Sequence, residues 1–218
     1  MAFFGGAAYA YAIGMNTLEL SPLAAVSFGF VFGVTLSIAF GFLLVKATGM
    51  GFLMLTLALG QSLYVLVLQN WFRPVSGATD GLIVSYSGDQ TFLGFDQAGV
   101  MKAADFWPVA WIVLVVTAFV LWMIGRSKLG VVLEGIRENE LRMRFSGYNT
   151  IYPRWIALVI SGTVATIAGL IFAVHAAYVS PETLSFTRSG DALIASIIGG
   201  LGTLLGPVLG AFIFIFAE

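Results

Sequence analysis

Four stretches of this chain that read as whole spans each run for eighteen residues or more without a charged side chain. Leu23 to Val45 is the first and Met50 to Gln69 the second. Pro108 to Gly125, somewhat short, is the third, and Trp155 to His175 the fourth. About 20 mostly apolar residues in a helix cover the roughly 30 Å hydrocarbon core of a bilayer. Within that core only helices and closed barrels satisfy every backbone polar group. Composition agrees: 59% of the 218 residues are hydrophobic and 10% are charged, against about 25% charged in soluble domains. A protein with so little charge could not cover its surface in water. The expectation is an all-α polytopic membrane protein of five to seven transmembrane or half-membrane helices, with no soluble domain of any size, forming one transmembrane domain over residues 1–218.

Two further apolar segments do not read as whole spans. Ala2 to Met15 is too short to cross alone and fits a half-helix or the tail of a longer span. Ala192 to Ala217 carries Gly199, Gly200, Gly202, Gly206, Pro207 and Gly210. Glycine costs about 1 kcal/mol in a helix interior, and Pro207 fits best in the first turn of a new helix. The segment therefore reads as two short helices around a break. The residues from Gly190 to Ile198 would rise only about 13 Å as helix. Broken helices at membrane depth occur where protein or a water-filled cavity covers them, and they often mark a transport path. Gly199, Gly200, Gly202, Gly206 and Pro207 are accordingly candidate break and path residues. Close helix packing through small residues accounts for the same glycines.

Lysine and arginine orient the spans. Residues 126–154 hold six of the ten: Arg126, Lys128, Arg137, Arg142, Arg144 and Arg154. Residues 71–107 hold Arg73 and Lys102 beside four aspartates. The first loop is expected on the cytoplasmic side with Lys46, and the second outside. The outer loop reads as turns with two short strands or an interfacial helix. The inner loop reads as one short amphipathic helix over roughly 130–145. Val132, Leu133, Ile136 and Met143 cluster roughly on one face, Glu138 with Arg142 and Glu140 with Arg144 stand at i,i+4, and Gly147 follows where a helix stop belongs. A helix that merely joins two spans satisfies the same pattern.

Several chemistries lack their residues. There is no G-x-x-x-x-G-K-[ST] phosphate loop, no H-E-x-x-H and no cysteine, so the chain holds neither ATP nor zinc by those motifs. His175 stands alone near the outer end of a span and reads as a satisfied interfacial histidine. The spans carry no carboxylate or lysine of the kind that couples protons or sodium. Asp191 reads as a first-turn helix carboxylate. Thr56, Gln61 and Ser62 are polar within the second span, where helix-to-helix hydrogen bonds or a substrate path both explain them. The net charge of −1 gives no reason to expect nucleic acid. No enzyme, cofactor or metal is expected. A transporter powered by a partner, a passive channel and a scaffold subunit all fit.

Specific strings narrow that choice. Ser127-Lys128-Leu129-Gly130, Leu133-Glu134-Gly135-Ile136-Arg137-Glu138-Asn139-Glu140 and Gly147-Tyr148 resemble the cytoplasmic loop of LivM-type permeases, the membrane subunits of ABC importers for branched-chain amino acids. Ile160-Ser161-Gly162, Val179-Ser180-Pro181-Glu182 and the run Ile198 to Ala211 continue the resemblance. Ala2-Phe3-Phe4-Gly5, Thr56-Leu57-Ala58 and Thr79-Asp80-Gly81-Leu82 extend it upstream. Met143, Arg144, Ser146 and Ala7 depart from the family pattern. The resemblance implies a bacterial plasma (inner) membrane protein that pairs with a homologous second permease, two cytoplasmic ATPase subunits and an external substrate-binding protein. It implies that Glu134, Gly135, Ile136, Arg137, Glu138, Asn139 and Glu140 couple to the ATPase. It also implies a fragment, lacking one or two N-terminal spans and some C-terminal helix. A urea or short-amide permease is the rival within the family, and no substrate-binding residue is legible.

Overall fold

The computed structural model describes residues 1–69, 73–86, 91–92, 94–95, 97–200, 202–203 and 205–217. The four apolar stretches are helices of spanning length: α2 (Pro22–Leu44), α3 (Met50–Leu68), α6 (Ala103–Gly125) and α9 (Ile151–Ala176). Shorter helices fill the remainder: α1 (Ala2–Asn16), α4 (Arg73–Ser76), α5 (Gln97–Met101), α7 (Lys128–Glu138), α8 (Glu140–Phe145), α10 (Phe186–Gly199) and α11 (Gly206–Ala217). Two strands, β1 (Leu82–Ile83) and β2 (Tyr178–Val179), pair antiparallel. The chain is thus an all-α membrane protein, as its apolar stretches require.

Span three begins earlier than the sequence suggests. The sequence places its start at Pro108, yet α6 starts at Ala103 with Lys102 extended before it and Asp105 in its first turn. A carboxylate there favours the helix N-terminus, and Pro108 removes only the bond that its own N–H would have made one turn back.

The centre of the bundle is α1, which packs against α2 and α9. Gly5 to Ala12, Gly14 and Met15 are all buried. Between helices in lipid, small residues rather than large apolar ones bring backbones together. On α2 that logic gives a stripe at every fourth residue, Ala25, Gly29, Gly33, Ser37 and Gly41, each buried. A Cβ added at Gly29 would lie 2.6 Å from Leu170 Cδ2, and one at Gly41 2.8 Å from Trp155 Cδ1, so α9 sits directly on this stripe.

The loops gather at opposite ends. Arg154 Nη2 at the start of α9 donates to the Ala47 carbonyl, 2.9 Å away in the α2–α3 link. Lys46 and the 126–154 loop therefore share one end. At the other end β1 pairs with β2 beyond α9, Asn16 Nδ2 donates to the Ile83 carbonyl (2.8 Å), and His175 Nδ1 donates to the Val100 carbonyl (3.0 Å). The outer loop contributes one strand to a two-strand pair, where two within the loop were an alternative expectation; the partner comes from after α9. Gln90, in the outer loop, lies outside the described residues.

Candidate coupling and transport site

The basic end carries two helices where the i,i+4 pattern predicts one. Asn139 interrupts them with extended backbone, φ −158° and ψ 100°, and its side chain accepts from the Arg142 N–H at 3.0 Å. An asparagine that caps the next helix offers the backbone an alternative to continuing the last one. The corner separates the expected Glu138–Arg142 pair, whereas Glu140–Arg144 forms at 2.7 Å. Gly135 allows α8 to fold back: a Cβ there would stand 2.8 Å from Met143 Sδ.

The stop falls where the sequence places it. Gly147 takes φ +86°, the Gly147 N–H donates to the Arg144 carbonyl and the Tyr148 N–H to the Met143 carbonyl. That double bond is the Schellman closure, which glycine enters without Cβ strain.

Glu134, Arg137, Glu138 and Asn139 are exposed on α7 and at the corner, and Gly135 and Ile136 are half-buried. Leu141 and Phe145, one turn apart on α8, are 65% and 90% exposed, so the loop presents an apolar ridge beside its charges. Glu140 faces inward. Its Oε1 accepts from Arg144 Nη2 (2.7 Å), Thr150 Oγ1 (3.0 Å) and Arg154 Nη1 (3.2 Å). Partial burial acts to raise the Glu140 carboxyl. The Thr150 hydroxyl and the Arg154 and Arg144 guanidiniums outweigh it and hold the group below its ordinary 4.5. Because Arg154 also holds Ala47, Glu140 ties the loop pair to α9 and to the α2–α3 link. The sequence puts Glu140 in the loop set through resemblance but gives no sign of its partner 14 residues on.

The glycine-rich segment is a hairpin. α10 ends at Gly199, α11 begins at Gly206, and Gly199 lies against the Gly206 carbonyl while Gly210 lies against the Ala195 carbonyl. The helices are therefore antiparallel and meet on a glycine face. Pro207 sits in the first turn of α11. Gly200 takes φ +95° with nothing within 4 Å of an added Cβ, and Gly202 and Thr203 are exposed. Gly199, Gly206 and Gly210 are thus packing residues, while Gly200 and Gly202 form the open tip. α10 is also longer than the sequence suggests. Ser185 caps it, accepting from the Arg188 N–H at 3.4 Å, and Asp191 falls in the second turn, not the first.

His175 Nδ1 is satisfied by Val100, and its ring stacks on Phe106 at 5.3 Å between centroids. Among the described residues no group of three His, Asp or Glu could hold a metal ion. A cavity of about 620 Å³ opens between α1, α2, α3 and α10, with Thr56, Gln61 and Ser189 on its wall. A shallow trough along α3, from Ala58 to Gln69, adjoins it and shares Ala58 and Gln61 with it.

Comparison with known proteins gives a consistent picture. The family described as "branched-chain amino acid transport system / permease component" matches residues 1–218. The high-affinity branched-chain amino acid transport system permease protein LivM of Salmonella typhimurium is 26% identical over 92% of this chain and 49% of its own length. LivM of Escherichia coli is 25% identical over 94% of this chain and 50% of its own length. The autoinducer 2 import system permease protein LsrC of Yersinia pestis is 26% identical over 49% of this chain and 32% of its own length. The chain spans about half the length of the LivM relatives it matches. No solved structure matches it.

Proposed function

From a chain that belongs to the permease-component family of branched-chain amino acid transport systems, we propose the membrane-spanning subunit of an ATP-driven importer for branched-chain amino acids. A homologous second permease completes the pathway, two cytoplasmic ATPase subunits supply the energy, and an external binding protein delivers the solute. The loop of 126–154 faces the cytoplasm in this reading, and 71–107 faces outward.

The observation that carries the proposal is the helical pair α7–α8, which exposes charge and an apolar ridge while Glu140 binds it to Arg154 and, through it, to Ala47. A rigid element anchored at two spans moves them when a partner groove moves it. A loop that only joined two spans would need no such anchor. Glu134 to Asn139 supply the coupling surface with Glu140 as its anchor, and the α10–α11 hairpin flanks the path.

The test is uptake into proteoliposomes holding the full permease, its partner permease and the ATPases, with binding protein outside and ATP inside. Labelled leucine should accumulate only with ATP, and urea should not. Equal leucine entry without nucleotide would establish a passive channel instead. Accumulation of urea or autoinducer 2 in place of leucine would keep the importer and change its solute.

A further inference from the structure

Gln61 stands twelfth of the nineteen residues of α3, near mid-depth, and is the one side-chain amide within the four long spans. It is exposed and makes no hydrogen bond among the described residues. A carboxamide facing hydrocarbon leaves donors and acceptors unmet, so such a group at membrane depth faces protein or water.

The neighbouring polar groups decide between those two. Ala58, Gln61, Ser62, Val65 and Gln69 recur at three- and four-residue spacing, which puts them on one face of α3. Thr56 is on the wall of the adjoining cavity, and cavity and trough meet at Ala58 and Gln61. From Thr56 to Gln69 the polar positions cover about 20 Å of helix rise. The Thr56 hydroxyl donates to the Phe52 and Leu53 carbonyls and the Ser62 hydroxyl to the Leu59 carbonyl. Their protons are engaged and their oxygens remain acceptors.

We propose that this stripe is the water-lined wall of the translocation path, on which a small zwitterionic solute travels. The Gln61 amide N–H donates to the solute's carboxylate while the neighbouring Ser62 oxygen accepts from its ammonium, and the Thr56 oxygen, about 9 Å of helix rise away on the cavity wall, accepts from the ammonium at a separate step along the path. Leu57 and Phe40, on the same cavity wall, receive an apolar side chain. The solute class rests on the importer reading above; the water-lined stripe does not.

The chain contains no cysteine, so Gln61→Cys gives it a single thiol within these residues. The permease assembled with its partners in membrane vesicles is treated with a membrane-impermeant trimethylammonium methanethiosulfonate, and labelling is read against the unsubstituted protein. Val116→Cys, on α6 and 55% exposed, is the lipid-facing control. Position 61 should label at least about tenfold faster than 116, by the barrier to bringing a fixed cation into hydrocarbon. Saturating leucine should slow labelling at 61 severalfold. Ser62→Cys carries the same test if Gln61→Cys does not assemble. Labelling at both 61 and 62 no faster than at 116 overturns the inference, whether or not the assembly transports. Fast labelling at 61 with no ATP-dependent uptake by the unsubstituted assembly keeps the water-lined stripe and removes the importer reading.

Discussion

Replacing Glu140 by glutamine removes one charge and nearly no volume, so it isolates the electrostatic part of the loop anchor. The carboxylate meets Arg144 at 2.7 Å, Thr150 at 3.0 Å and Arg154 at 3.2 Å. These contacts differ in worth. The Arg144 side chain is 51% exposed, and an i,i+4 pair in water contributes about 0.3–0.5 kcal/mol. The Arg154 side chain is 22% exposed and Glu140 29%, so this pair is less screened. A hydrogen bond to a charged group there contributes about 1.5 kcal/mol. Glutamine retains the Thr150 contact. Together the substitution should weaken the anchor by roughly 1–2 kcal/mol, about a 5–30-fold rise in the open population. Hydrogen exchange reads that directly: the hydrogen-bonded amides from Arg142 to Phe145 should exchange faster by that factor, while amides in the middle of α9 stay unchanged. ATP hydrolysis by the assembly should persist while leucine moved per ATP falls. An exchange change below twofold in α8 would refute the account of Glu140 as an anchor.

Other outcomes follow from the same geometry. Charge reversal at the exposed Arg137 or Glu138 should uncouple hydrolysis from uptake without affecting substrate delivery, measured as leucine transported per ATP. The depressed Glu140 value means its contribution is full above the unfolded 4.5 and is lost as pH falls through the lower folded value, so α8 protection should be flat at neutral pH and drop only in acid, in an exchange series against pH. Gly210→Leu drives a side chain into the Ala195 and Gly199 backbone and should abolish assembly and uptake, Gly200→Leu meets open space but must hold φ +95° and should cost about 1–3 kcal/mol in backbone strain, and Ala118→Leu should be tolerated, all read by co-purification and transport. Gly33→Leu overpacks the contact with Thr166 and should destabilise the bundle by roughly 1–3 kcal/mol, seen as a lower unfolding midpoint in detergent.

Much of the architecture is legible because crossing a bilayer demands long uncharged runs, and those runs are printed in the sequence. The Gly147 stop is legible for a related reason: the left-handed turn after α8 favours glycine. The split at Asn139 is not. The helix pattern runs through it, and only the side chain's choice to cap α8 ends α7. The central place of α1 is hidden too, since burial between helices in lipid is marked by small residues, not by hydrophobicity. The four-residue stripe on α2 is visible once sought, at Ala25, Gly29, Gly33, Ser37 and Gly41. For the candidate site, resemblance supplies Glu134 to Glu140, but the Glu140–Arg154–Ala47 connection crosses three separate parts of the chain and leaves no local trace.

The burial of α1 bears on how the protein is made. Its surface is matched to two other helices. One of them, α2, follows almost at once; the other, α9, begins at Ile151. A chain that leaves the ribosome N-terminus first therefore holds its innermost helix half-clad while α3, the outer loop, α6 and the α7–α8 pair are synthesised. During that interval Phe4, the future neighbour of Gly169, and the rest of the α1 face toward α9 have no permanent cover, and neither does Gly5, which packs on Leu184. Of the four long spans described, α9 is the last in chain order, and it is the one that closes the centre.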